Sequence, residues 1–211
     1  MDEPRFWNEF LDRVPICNEL IENFIEIKKE ILRFIETDHP LLDYPQFSYL
    51  NPITQKQENS LYENSWKAFP LSVINEEFVE LSREGLGYEI EPYIEWTKSR
   101  CPFTSNLFAD LERQGNLANA FVSRLEPGTH IKPHRGWCFT YLRVQLGLKC
   151  DPECRITVGD ETQTWIEGKL LAFKDGGKYP HSVIHEGTSE RIILSLDLRL
   201  IYLKKFIPEI F

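Results

Sequence analysis

His134 and His181 are the residues of this chain best suited to hold a transition metal, with Ser123, Arg143, Gln145 and Arg191 at short spacings around them. Iron(II) in oxygenases commonly takes two histidines and one carboxylate on one face, which leaves positions for a co-substrate and oxygen. The arginines add a second function. A guanidinium gives a carboxylate two parallel charge-assisted hydrogen bonds, so a small dicarboxylate is the ligand it suits. The usual carboxylate of such a site follows the first histidine by two residues. Here the run is His134-Arg135-Gly136, and that position has no side chain.

The residues alone leave other readings open. The histidines could be ordinary loop residues and the arginines surface ion pairs. His130 and His185 repeat the H-x3-H spacing with His134 and His181, so a tetrahedral zinc site is a further alternative. Cys150 and Cys154 read as free thiols in a loop, and Asp197 as a structural or edge-exposed acid.

The elements that must position these side chains are short strands. From Ala118 the apolar period is two: Phe121, Ser123 and Leu125 share one face, Val122 and Arg124 the other. In Tyr141–Leu148 one face is wholly apolar (Leu142, Val144, Leu146, Leu148). The opposite face carries Tyr141, Arg143, Gln145 and Gly147, and is either solvent-facing or the polar interior of a barrel. Arg155–Val158 and Thr162–Trp165 flank Gly159-Asp160-Glu161 as a hairpin, Lys169–Phe173 follows, and Arg191–Leu198 closes the series. Many short strands between glycine turns indicate a mainly β fold with flanking helices, an antiparallel barrel or jelly roll.

Upstream, the steps of three and four through Leu20, Phe24, Ile27, Ile31 and Ile35 predict one amphipathic helix over Pro15–Thr37, ended by Asp38-His39-Pro40. Residues 40–65 read as irregular loop with one short strand. Trp66–Ile74 reads as a strand, and Asn75–Leu86, Pro92–Lys98 and Ser105–Gln114 as helices. At 211 residues the chain is expected to form one domain: residues 1–117 a mostly helical and loop support, 118–200 the β core with the site.

The net charge of −9 argues against a nucleic-acid partner. No apolar run approaches a membrane span, and no signal peptide or basic amphipathic anchor stands out, so no membrane partner is expected. Five cysteines without framework spacing make a reducing cytoplasm the expected location.

Several segments together resemble the aspartyl/asparaginyl β-hydroxylase family. They are Ser123–Gly136 (SRLEPGTHIKPHRG), Leu142–Leu148 (LRVQLGL), Glu161–Phe173 (ETQTWIEGKLLAF), His181-Ser182-Val183 and Arg191–Asp197. The match spans residues 119–198, with weaker pieces at Trp66-Lys67-Ala68-Phe69 and Cys101-Pro102. It implies a double-stranded β-helix (jelly roll, cupin-like) and an iron(II)- and 2-oxoglutarate-dependent dioxygenase. Oxidative decarboxylation of 2-oxoglutarate with O2, giving succinate and carbon dioxide, would drive hydroxylation of an sp3 carbon. On the resemblance, His134 and His181 bind iron, and water fills the position that Gly136 leaves vacant. Ser123 and Arg191 hold the distal carboxylate of 2-oxoglutarate. Arg143 lies near the other end of the co-substrate and the substrate carboxylate.

The chain departs from the best-known members at two positions. Gln145 stands where they have a histidine beside the co-substrate. Tyr141 stands where they have an arginine that binds an acidic substrate residue, which turns the expectation away from an Asp or Asn target. The substrate is an amino acid or a peptide or protein side chain on this reading, with an acyl or peptide natural product also open. An iron halogenase, with halide beside Gly136, and a non-catalytic cupin-like binding module are the alternatives.

Overall fold

The computed structural model describes residues 3–46, 48–73, 90–136 and 139–210. The helices are α1 (Pro15–Glu22), α2 (Phe24–Asp38), α3 (Ile90–Arg100), α4 (Pro102–Arg113) and α5 (Leu200–Leu203). Four two-residue strands come first: β1 (Leu42–Asp43), β2 (Tyr49–Leu50), β3 (Gln57–Glu58) and β4 (Tyr62–Glu63). The longer ones are β5 (Trp66–Val73), β6 (Leu117–Leu125), β7 (His130–His134), β8 (Tyr141–Lys149), β9 (Cys154–Val158), β10 (Glu161–Thr164), β11 (Leu170–Phe173), β12 (His181–His185) and β13 (Arg191–Arg199).

They form a double-stranded β-helix. The larger sheet has the order β1-β5-β6-β13-β8-β11 and the smaller β10-β9-β12-β7-β4, with β2 and β3 as a separate hairpin. The pairings within both sheets are antiparallel.

Alternation along β8 and β13 explains why this sheet holds the site. Leu142, Val144, Leu146 and Leu148, with Ile192, Leu194, Leu196 and Leu198, point outward into a core shared with Leu20, Ile27, Ile31, Phe34 and Phe108 of the helices. Each such side chain contributes about 1.5–3 kcal/mol on burial. A slip of one residue would turn all of them inward, so the helix layer fixes the register. The opposite residues of the same strands then face the interior between the sheets: Tyr141, Arg143 and Gln145 on β8, and Arg191, Ser195 and Asp197 on β13. The polar face of β8 is therefore barrel interior, not solvent-facing.

Two expectations change. The single helix over Pro15–Thr37 is two, α1 and α2, because Asn23 interrupts it. Asn23 Nδ2 donates to the Glu19 carbonyl at 2.8 Å, and its own carbonyl accepts the Ile27 amide at 3.1 Å. His39 then ends α2 in the left-handed region, at φ 51°, directly before Pro40. Residues 40–65 hold four short strands, of which β1 extends the edge at β5 and β4 the edge at β7. Two residues are too few to show a period. The helix expected over Asn75–Leu86 lies outside the described residues. No helix among the described residues is long and apolar enough to cross a membrane.

Candidate active site

The pairing of β7 with β12 brings the two histidines together. His134 and His181 are direct partners in the register, and their ring centroids are 4.1 Å apart. Both are buried. His134 Nδ1 lies 2.9 Å from the Lys132 carbonyl, which can only accept, so Nδ1 carries the proton and Nε2 keeps its lone pair. Burial pushes the His134 pKa down to about 4, and burial, with His134 and Arg143 nearby, holds His181 well below the ordinary value. Both rings are neutral at pH 7. His181 Nδ1 is buried with no hydrogen-bond partner among the described residues. Two adjacent neutral imidazoles, one with a free nitrogen and one with an orphaned nitrogen, fit two neighbouring ligand positions of a first-row transition metal.

His130 is exposed at the far end of β7, and His185 lies at the far end of β12. Among the described residues no group of three or more His, Cys, Asp or Glu is arranged to hold a metal, so a four-ligand zinc cage is not built here.

The vacancy at Gly136 is filled from elsewhere. A Cβ at this position would come within 1.6 Å of Asp175 Oδ2 and 3.2 Å of the Asp175 backbone carbon. The Gly136 amide donates to the Asp175 carbonyl at 2.8 Å, which fixes the approach. Asp175 Oδ1 lies 3.3 Å from His181 Nε2 and accepts a short hydrogen bond from Arg143 Nη1. A carboxylate thus stands beside the histidine pair, supplied by the β11–β12 loop and not by β7. Burial raises its pKa, against the pull of Arg143. Gly136→Ala must displace a side chain held by Arg143. Overpacking of this kind costs about 1–3 kcal/mol. Thermal denaturation should show a loss of roughly 2–12 °C; an unchanged midpoint would mean that Asp175 gives way freely.

Arg143 is held on three sides. Its Nε and Nη2 donate to Asp197 Oδ1 and Oδ2 at 2.8 and 2.9 Å, and Nη1 donates to Asp175. Asp197 also accepts from Asn119 Nδ2 at 3.1 Å. The expectation of a structural or edge-exposed Asp197 needs correcting in part. It is structural, but it is buried in a central strand and forms the main brace of Arg143.

Deeper in the same cavity, Ser123 Oγ accepts from Trp66 Nε1 at 2.9 Å and from Arg191 Nη2 at 3.2 Å. Its own proton remains to donate. Arg191 is 3 % exposed, stacks over Trp165 at 4.8 Å, has no carboxylate partner among the described residues, and leaves its buried Nε unsatisfied. Burial lowers its pKa, as expected for a cation held out of water. Gln145 Oε1 accepts from Trp165 Nε1 at 2.9 Å, which leaves its amide protons to donate. From the Ser123–Ile193 pair to the Asp197–Arg143 pair is four residues along β13, about 13 Å at roughly 3.3 Å per residue. Tyr141 faces Arg199 across the register two pairs further, at the rim, with the Arg199 guanidinium 5.8 Å from its ring.

The structure brings His134, His181 and Arg143 to one end of the interior between the sheets and Ser123, Gln145 and Arg191 towards the other. Sequence reasoning missed Asp175, Trp66 and Trp165. A tryptophan within or next to a strand was the visible sign for the last two, since a buried indole N–H requires an acceptor. Asp175 sits in Lys174-Asp175-Gly176-Gly177, which reads as a turn. Cys150 and Cys154 are free thiols, but Cys154 opens β9 and is fully buried.

Comparison with known proteins adds the following. Residues 21–200 match the family model described as aspartyl/asparaginyl beta-hydroxylase. A mouse protein named aspartate beta-hydroxylase domain-containing protein 2 is 39% identical over 105 residues, covering 47% of this chain and 30% of its own. Human aspartyl/asparaginyl beta-hydroxylase is 42% identical over 77 residues, covering 36% of this chain and 10% of its own. The chain thus spans under a third of the length of these curated relatives. Among solved structures, a cupin-2 domain protein from Rhodospirillum rubrum aligns over 75% of this chain and 68% of its own, with a TM-score of 0.40 and 14% identity.

Proposed function

The chain belongs to the aspartyl/asparaginyl β-hydroxylase family, and from that premise we propose that it is an iron(II)- and 2-oxoglutarate-dependent dioxygenase that hydroxylates an sp3 carbon of an amino acid or a peptide or protein side chain. One observation carries this reading. The interior between the two sheets has two neutral, adjacent imidazoles towards one end and, towards the other, a buried arginine whose Nε has no partner and whose charge has no counter-ion among the described residues. A buried cation without an anion is costly. A dicarboxylate that reaches from the metal to Arg191 would supply the missing charge.

His134 and His181 would hold iron(II), which together with 2-oxoglutarate supplies oxygen activation. Arg191 receives the distal carboxylate with its fork, and the Ser123 hydroxyl donates its remaining proton to the same group. Trp66 and Trp165 prevent both from turning away. Arg143, braced by Asp197, keeps the Asp175 carboxylate beside His181, where it can accept a hydrogen bond from a group on the metal side. The Gln145 amide donates into the middle of the cavity. Phe173, 4.9 Å from His181, and Leu171 form an apolar wall that excludes water. The space that a halide would need beside Gly136 is taken by Asp175, which favours hydroxylation over halogenation. Tyr141 and Arg199 at the rim would meet the substrate.

The test is product formation. Purified protein with iron(II), 2-oxoglutarate and oxygen should release succinate, and a panel of peptides and free amino acids should include one that gains the mass of one oxygen. His134→Ala and His181→Ala should each lose most of the metal affinity and the turnover. Near-normal activity in either variant, or no succinate from the wild type with any substrate, would refute the assignment.

A further inference from the structure

The interior between the sheets contains a buried polar group that the mechanism above leaves unused. His185 ends β12, whose buried residues His181, Val183 and His185 alternate with the less buried Ser182 and Ile184. The ring is therefore on the interior face, and it is 0 % exposed. Its partner across the sheet is Cys154, also fully buried.

One edge of the ring rests on a braced turn. The Gly187 amide donates to Nδ1 at 3.3 Å. Asp151 organises that turn: its Oδ2 accepts from the Thr188 amide at 3.0 Å and from the Ser189 amide and hydroxyl at 2.9 Å each. The other edge, Nε2, is buried with no hydrogen-bond partner among the described residues. In the neutral ring with Nδ1 accepting, Nε2 carries the proton. In the charged ring both nitrogens carry one. While Nδ1 accepts from Gly187, the ring presents Nε2–H.

The neighbours say what this donor is for. Burial, and to a lesser degree the Arg191 charge, hold the His185 pKa below its ordinary value against the pull of Ser189 and Asp151. Arg191 Nε is a second buried donor without a partner, and the proton of Ser123 is the third. An unmet buried donor costs about 1–3 kcal/mol. Three of them in the interior between the sheets are tolerated if an anion with several acceptor sites completes them. His185 is not a spare metal ligand, because it lies four residues beyond His181, about 13 Å along an extended strand.

We propose that His185 Nε2 is a further donor to the distal carboxylate of the co-substrate, sharing that group with Arg191 and Ser123. The proposal rests on the 2-oxoglutarate reading and extends it to this buried residue. It makes the pocket selective for a dicarboxylic 2-oxo acid, since an alcohol, amide or methyl group at that end would leave donors unmet.

The experiment is titration of the manganese(II)-loaded protein with 2-oxoglutarate in a calorimeter. His185→Leu should weaken 2-oxoglutarate about ten- to hundred-fold, the effect of a lost hydrogen bond to a charged group. His185→Gln, which keeps an N–H donor, should lie nearer the wild type than His185→Leu does. Manganese affinity without 2-oxoglutarate should be the same in all three. Arg191→Met is the control for the underlying reading. If Arg191→Met weakens binding and His185→Leu does not, His185 is structural and the proposal fails alone. If the wild type does not bind 2-oxoglutarate, both fail. Should His185→Leu not fold, nitrogen NMR of the wild type decides: 2-oxoglutarate must shift the His185 Nε2 resonance, and an unmoved resonance overturns the proposal.

Discussion

Arg191→Met should raise the KM for 2-oxoglutarate about 30-fold to several thousand-fold, the equivalent of roughly 2–5 kcal/mol for a buried charge pair deprived of one partner. The change keeps the length of the side chain and removes its charge. Arg191 has no anionic partner among the described residues, so the ligand-free protein gives up an uncompensated buried cation. Replacing buried charge by a well-packed apolar group is often neutral or stabilising. The melting temperature without 2-oxoglutarate should therefore hold or rise, while the increase on adding 2-oxoglutarate should vanish. A structural arginine would do the reverse. A fall in ligand-free stability with an unchanged KM would show that Arg191 serves the fold and that the co-substrate lies elsewhere.

Asp197→Ala should have the largest effect on stability. It removes the two-point brace of Arg143 and leaves the guanidinium inside the barrel. Breaking a buried pair costs about 3–5 kcal/mol; Asp175 still faces Arg143 here, so the lower end applies. For a chain of this size about 3 kcal/mol lowers the melting temperature by roughly 6–12 °C. The triple variant Arg143→Met, Asp175→Asn and Asp197→Leu should recover most of that loss, because no charge of the cluster is left alone, yet it should not recover turnover. If Asp197→Ala melts like the wild type, the pair is not holding the sheet.

The readability of this chain follows from the range of each signal. Period-two alternation is local, so the two faces of Tyr141–Leu148 were plain in the sequence, and so was the polar set Arg143 and Gln145. Which polar face was interior depended on the helices behind it. The family motif named His134 and His181 together, whereas their spacing alone could not: what joins them is the β7–β12 register. Asp175 was out of reach for a clearer reason. It follows β11 in a glycine turn, and only the folded loop brings its carboxylate into the space left by Gly136. Of the two readings of Asp197, structural or edge-exposed, the second fails: an acid in an apolar strand usually marks an edge, but β13 lies between β6 and β8. The break at Asn23 was hidden by an apolar stripe that continues through both helices.

The site is divided between two walls. Both histidines stand on the smaller sheet, and Ser123, Arg143 and Arg191 on the larger. The larger wall is supported by helices, while the core between the walls draws on no helical residue among those described. Strand pairings between distant segments form slowly, because a long loop must close before any contact rewards it. A chain caught with only the helix-backed wall complete would display arginines without imidazoles. On the proposed function it could attract a dicarboxylate but could not retain iron beside it. Oxygen chemistry would thus be withheld from a nascent chain until its two walls have met, and uptake of metal would report the final act of assembly.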